Sequence, residues 1–270
     1  MLRATVAWRR KLRPFAARCP RCPETPGFHP MRQVGFDKVG RPIFYTCFRQ
    51  AHRNHFTNSR DHLLYSFENA AKTFAPTMPY ADRKWIYICD FAGYGWRDNK
   101  MGPTRELVGI MSQHYPERLA YFLCVNAPSI FRFFYKALKP FVDPRTYDKV
   151  RWCAGEKEIA SRAAELFGPG MARWLTEEVA LNRPSALPPA QARYWEAPAE
   201  DGEHDPRGEE AYVRGYVDVR HAGGHEPHQN YAVPPPPVEI PAAAAAAAAA
   251  STDDVVAAPA DEAGAAAAEK

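Results

Sequence analysis

"YPERLAYFLCVNAP", residues 115–128, places a Pro-Glu-Arg corner before a nearly unbroken apolar run, which Asn126, Ala127 and Pro128 then close. A short apolar run bounded by turn residues reads as a strand buried on both faces. Upstream, "KWIYICDF" (84–91) reads the same way, and "GFDKVGRPIFYTCF" (35–48) gives a turn at Lys38-Val39-Gly40 and a strand from about Pro42 to Phe48. "KVRWCA" (149–154) reads as a short fourth strand. Between these lie helical periodicities at Ser59–Phe74, with Ser59 as N-cap, and at Pro103–His114, with Pro103 in the first turn. Ser129–Phe141 reads as an aromatic helix capped by Ser129, and Glu156–Phe167 as a helix stopped by Gly168-Pro169-Gly170. Strands and helices in alternation predict an α/β fold with a mostly parallel sheet over about 150 residues.

Charge divides the 270 residues unevenly. Residues 1–190 carry 30 Lys+Arg against 16 Asp+Glu, and residues 191–270 carry 5 against 15, giving the net +4 of the whole. A basic body suits an anionic partner such as a phospholipid surface. Residues 183–270 are rich in Pro and Ala and include "VPPPPVEIP" (233–241) and the run Ala242–Ala250, so they read as an acidic disordered tail. That alanine run is too short to span a bilayer, and no apolar stretch of about 18 residues exists. The start, "MLRATVAWRRKLRPF", reads as a cationic amphipathic helix ending near Pro14. Its acid-poor composition is also that of some mitochondrial transit peptides. Of the six cysteines, Cys89 and Cys124 sit in apolar runs as small hydrophobes, which suits a reducing cytosol.

Common catalytic signatures fail. "GYG" at 93–95 follows a strand, but Asp98 occupies the third glycine position of a dinucleotide fingerprint. There is no Walker A loop and no G-x-S-x-G elbow. Cys19-Pro-Arg-Cys22 is a CxxC with no second CxxC to complete four zinc ligands, and His52, His55 and His62 read as surface or packing residues, so no metal is expected. His221, His225 and His228 in the tail are a weaker set still. Arg and Lys are scattered, with no RRM, KH or finger pattern, so nucleic acid is not an expected partner.

The ordered set "GFDKVGRPIFY", "ICDFAG", "YPERLAYFLCVNAPSIF" and "KPFVDPRTYDKV" resembles the CRAL-TRIO domain family, most closely its phosphatidylinositol-transfer members. The resemblance implies a sheet floor and flanking helices enclosing an apolar pocket for one lipid, with no cofactor and no catalytic group. It places Ser129–Phe141 at the pocket's gate, with Ile130, Phe131, Phe134, Leu138 and Phe141 on it. It also places Glu117, Thr146 and Lys149 at the positions that hold an inositol-phosphate headgroup. The hydroxyl positions that hold phosphatidylcholine are taken by Gly95, Trp96 and Arg97, which favours phosphatidylinositol. By the same resemblance residues 1–29 are the remnant of a preceding helical subdomain, whose basic headgroup ligand has no counterpart, and 30–182 are the lipid-binding domain. "WLTEEVALNRP" (174–184) stands where the family usually closes with Gly-Gly. The expected function is lipid binding or transfer in the cytoplasm with peripheral attachment to an anionic membrane. The alternatives are another hydrophobic ligand, or a scaffold whose polyproline stretch docks a proline-motif-binding protein.

Overall fold

The structure is a computed structural model that describes residues 2–142, 144–200, 202–218 and 229–231. The polyproline stretch, the alanine run and His221, His225 and His228 lie outside the described residues. In chain order the main elements are α1 (Leu2–Leu12), β1 (Arg32–Phe36), β2 (Pro42–Cys47), α2 (Ser59–Ala71), β3 (Trp85–Asp90) and α3 (Met101–His114). There follow β4 (Leu119–Val125), α4 (Ser129–Leu138), α5 (Pro144–Tyr147), β5 (Val150–Cys153), α6 (Glu156–Leu166) and α7 (Pro169–Leu181).

The five strands lie in the order β1-β2-β3-β4-β5, with β1 antiparallel to β2 and every other pair parallel. The order never reverses, so right-handed crossovers put α2, α3 and α4 on one face. The chain then returns through α6 and α7 over the other. Packing follows this division. Ile43, Ile86, Ile88, Leu123 and Val125 meet Ile159, Ala163, Met171 and Trp174 of α6 and α7. Phe44 and Trp85 meet Leu63, Leu64 and Phe67 of α2 and Ile110 of α3.

β1 is a strand the sequence pattern does not announce, because Arg32, Gln33 and Gly35 interrupt its apolar residues. The helix expected at Ser59–Phe74 runs Ser59–Ala71, and its N-cap is Asn58 in a left-handed conformation, not Ser59. Gly93 of the "GYG" triplet serves packing. Its φ is +80°, and a Cβ there would lie 2.9 Å from the backbone of Arg49. Asp98 accepts from the Gly95 N–H at 2.8 Å and so closes that turn.

The disorder expected from residue 183 onward does not hold for residues 183–200, 202–218 and 229–231. Gln191, Tyr194, Arg207, Tyr212, Val213, Val217, Asn230 and Tyr231 are all buried there. The Tyr194 hydroxyl donates to the carbonyls of Gly27 (3.0 Å) and His29 (2.8 Å). "WLTEEVALNRP" is the C-terminal half of α7 and the start of this return. Composition hid the order because the partners of these few aromatic and polar residues lie far away in sequence.

Candidate functional site

One patch of the sheet, on the face that carries α2, α3 and α4, is less fully covered than the rest. On the α6/α7 face Ile43, Ile86, Ile88, Leu123 and Val125 are each exposed by 1% or less. On the opposite face the register aligns Tyr87 with Phe122 and Phe122 with Val150 across β3, β4 and β5. These three and Trp152 are only part-buried, although β3 and β4 are interior strands. Burial raises the Tyr87 phenol above its ordinary range, and its hydroxyl pairs with Thr46 at 2.8 Å. The result is an aromatic floor with a polar edge.

α4 lies over this floor. Phe131 packs on Phe91 with ring centroids 4.3 Å apart and on Trp152 at 6.1 Å. Tyr135 stacks on Tyr147 of α5 at 5.0 Å. Leu138 is buried, Ile130 and Phe134 are part-buried, and Phe133 is 77% exposed. The helix expected to reach Phe141 ends at Leu138, because Pro140 has no N–H to continue it. Lys139–Phe141 tighten into a 3₁₀ turn instead. The N-cap is Pro128, with Ser129 the first helical residue. An open groove of about 410 Å³ lined by Arg105, Glu106, Gln113 and Phe141 lies where this turn meets α3, and the Arg105 guanidinium lies 4.1 Å over the Phe141 ring.

Glu117 and Lys149 come together. Each precedes one of the adjacent parallel strands β4 and β5, and Lys149 Nζ donates to Glu117 Oε2 at 3.1 Å. Glu117 has φ +57°, so the corner turns left-handed before the strand begins. Thr146 stands one turn away on α5, and the Lys149 N–H donates to its carbonyl at 3.1 Å. Tyr147, next to Thr146, carries the stacking contact with Tyr135, so these polar residues are tied to α4. At the far end Asn126, with φ +52°, closes β4, and its Oδ1 accepts from the Gly155 N–H at 2.9 Å. A cavity of about 490 Å³ lies among α1, α2 and α3. Pro116 and Arg118, the neighbours of Glu117, line it together with Arg9, Glu68 and Tyr115.

The expectation that Cys19-Pro-Arg-Cys22 stands alone is corrected. His29 and His62 bring their ring nitrogens to the two sulfurs, and all four donor atoms lie within 4.8 Å of one another. No local spacing announces them, because α2 supplies one imidazole across 40 residues of sequence. His52 and His55 do pack on aromatic rings, those of Phe28 and Phe48.

Residues 30–165 match the CRAL/TRIO domain. The chain is 32% identical over 122 residues to a CRAL-TRIO domain-containing protein of Schizosaccharomyces pombe, covering 44% of this chain and 12% of that protein. It is 30% identical over 122 residues to the phosphatidylinositol transfer protein PDR17 of Saccharomyces cerevisiae (43% and 34%). Against the phosphatidylinositol/phosphatidylcholine transfer protein SFH11 of Arabidopsis thaliana it is 34% identical over 139 residues (46% and 35%). It therefore matches about a third or less of the length of these relatives. Among solved structures, Sfh5 aligns with a TM-score of 0.46 at 20% identity, covering 59% of this chain and 60% of that one. With the match spanning half its length, the chain belongs to the CRAL/TRIO domain family.

Proposed function

We propose that the protein binds one phospholipid between the aromatic floor of Tyr87, Phe122, Val150 and Trp152 and the helix α4, and moves it between membranes. The observation that carries this reading is the part-exposed apolar surface of Tyr87 and Phe122 on the interior strands β3 and β4, continued by Val150 and Trp152 on the edge strand β5. Water is a poor long-term partner for such a surface, and acyl chains are a good one. A ~16-carbon chain costs about 12 kcal/mol to expose, so a carrier needs a closed apolar site and an opening element rather than a catalytic base. α4 fits the opening element, with Phe131 and Leu138 turned inward, Phe133 outward and Arg132, Lys136 and Lys139 exposed for lipid phosphates.

Phosphatidylinositol is the headgroup we favour, held by Glu117, Thr146 and Lys149. The carboxylate accepts from inositol hydroxyls, while the ammonium and the threonine hydroxyl meet phosphate oxygens. One of the relatives above is named for phosphatidylinositol transfer and another for phosphatidylinositol/phosphatidylcholine transfer. Loading would exchange the Lys149–Glu117 pair for contacts with the lipid. Attachment to a cytoplasmic membrane would be peripheral, since no helix among the described residues is long and apolar enough to cross one. Native mass spectrometry of the purified chain, followed by lipid extraction, tests the proposal. A one-to-one phosphatidylinositol adduct supports it. A different hydrophobic adduct removes the headgroup assignment, and a chain that takes nothing from vesicles removes the carrier.

A further inference from the structure

We propose that Cys19, Cys22, His29 and His62 form a tetrahedral structural zinc site that pins the segment between α1 and β1 onto α2. The four residues are almost fully buried, at 1%, 0%, 3% and 2% exposure. Cys19 Sγ lies 3.5 Å from Cys22 Sγ and 3.3 Å from His29 Nδ1. Cys22 Sγ lies 3.4 Å from His29 Nδ1 and 3.5 Å from His62 Nδ1. Zinc–sulfur bonds of ~2.3 Å and zinc–nitrogen bonds of ~2.0–2.1 Å at tetrahedral angles put donor atoms roughly 3.3–3.8 Å apart. These four spacings fall in that range, and all the donor atoms lie within 4.8 Å of one another.

The orientation of the rings is the second argument. His29 Nε2 is 2.9 Å from the Thr57 carbonyl and His62 Nε2 is 2.8 Å from the Met31 carbonyl. A carbonyl only accepts, so each Nε2 carries the proton and each Nδ1 turns a lone pair toward the sulfurs. Backbone carbonyls commonly fix metal-binding histidines in this way. Charge agrees as well. Two thiolates and a divalent cation sum to zero, which suits a dry site, whereas thiols alone are weak donors and a poor reason to bury two imidazoles. A set of two soft sulfurs and two nitrogens in tetrahedral array selects zinc over the oxygen-loving cations.

The location gives the site a purpose. Residues 17–30 contain neither helix nor strand, yet Cys19, Cys22 and Phe28 are buried in a small cluster of their own. A segment with so little core ordinarily needs a metal or disulfide staple. The cysteines are free thiols. The surrounding chain is also tied in, since the Cys19 N–H donates to Gln229 Oε1 at 2.8 Å and the His29 carbonyl accepts from Tyr194 and Asn230. Zinc would therefore link α1, through its connector, to the sheet domain.

The test uses the untagged full chain, purified under reducing conditions without chelator. Metal analysis is expected to find about one zinc per chain. After chelator stripping, added cobalt(II) should give the ligand-field bands of a tetrahedral ion and a thiolate-to-cobalt charge-transfer band. Stripping should lower the melting temperature by at least roughly 5 °C, reversed by zinc. Cys22→Ser should lose the cobalt bands and Cys153→Ser should keep them. The wild-type measurement decides alone if a variant fails to fold. A wild-type chain with neither zinc nor a cobalt spectrum overturns the proposal, as does a Cys19–Cys22 disulfide in that preparation or unchanged bands in a folded Cys22→Ser.

Discussion

Arg32 on β1 and Glu178 on α7 meet at 3.0 Å with neither side chain exposed at all. The guanidinium lies over the rings of Tyr194 (4.2 Å) and Tyr45 (5.1 Å) and donates to the Pro206 carbonyl at 2.8 Å. Glu178 also accepts from Gln50 at 3.1 Å, Asn182 at 3.0 Å and Gln191 at 3.1 Å. One ion pair therefore joins β1, α7 and the returning segment 184–206. Removing one member of a buried pair leaves the other charge uncompensated, at a cost of about 3–5 kcal/mol. Glu178→Ala is expected to lose that much in urea denaturation and to open residues 184–206 to limited proteolysis. A loss below about 1 kcal/mol, typical of surface substitutions, would show that the network does not hold the segment.

The same carboxylate makes stability depend on pH. His204 Nε2 lies 2.7 Å from Glu178 and its Nδ1 3.2 Å from Glu177. Burial opposes the charged imidazole, but the two carboxylates outweigh it and raise the His204 pKa above its ordinary value of 6.5. The protonated form then contributes stability that is full below about pH 6.5 and is lost as pH rises through the folded-state value. Glu178 is shifted the other way. Burial opposes its charge, yet His204 and Arg32 hold it below 4.5, so its contribution fails only as pH falls through that lowered value. Burial lowers the pKa of His55, which works against folding at low pH, so the readout is a difference between proteins. Urea denaturation across pH 6–9 should show wild type losing more stability than His204→Asn with rising pH. Parallel curves would remove His204 from the network.

Much of the fold was legible because its central strands are continuous apolar runs between breakers. "LAYFLCV" is β4 to the residue, and "KWIYICDF" contains β3. β1 was not, because its buried Arg32 and Gln33 have a strand's geometry and a loop's composition. Arg32 is tolerated there only through a carboxylate 146 positions away, and no local pattern carries that information. The ordering of residues 183–200 and 202–218 was hidden for the same reason. For the proposed headgroup residues the pairing was not legible, since Glu117 and Lys149 meet only because β4 and β5 are neighbours. The cysteine–histidine cluster has spacings of three, seven and 33 residues, outside the usual finger pattern, so only the fold assembles it.

Glu117 and Lys149 provide a test that separates binding from folding. Glu117 is 62% exposed and Lys149 21%, and such a pair contributes at most about 1 kcal/mol to stability. Glu117→Ala with Lys149→Ala should therefore leave the melting temperature within a few degrees of wild type. Each charged hydrogen bond to a headgroup is worth about 1.5–3 kcal/mol, so phosphatidylinositol uptake from vesicles should fall at least roughly tenfold. Uptake that is unchanged in a folded double variant assigns these residues to a solvated strand end and moves the headgroup elsewhere.

Phe133 tests whether α4 is the surface that meets a membrane. It is 77% exposed on a helix whose Phe131, Tyr135 and Leu138 pack inward. It is flanked by Arg132 and followed by Lys136 and Lys139, all exposed. A solvent-facing phenylalanine adds little to stability, so Phe133→Glu should change the unfolding free energy by no more than about 0.5 kcal/mol. Burying that ring in a lipid interface gains about 1.5–3 kcal/mol, and its loss should weaken vesicle association roughly 10–100-fold. The binding that remains should fall with added salt, because the cations act through a screened surface potential. Phe131→Ala is the contrasting variant. It removes a ring packed on Phe91 and Trp152, so it should cost about 3–5 kcal/mol of stability if the site is a filled core, and less if a lipid normally fills the space. Vesicle sedimentation and denaturation of the two variants decide the matter together. Unchanged vesicle binding in Phe133→Glu, with a full core penalty in Phe131→Ala, would make α4 a fixed layer of the fold and place the docking surface elsewhere.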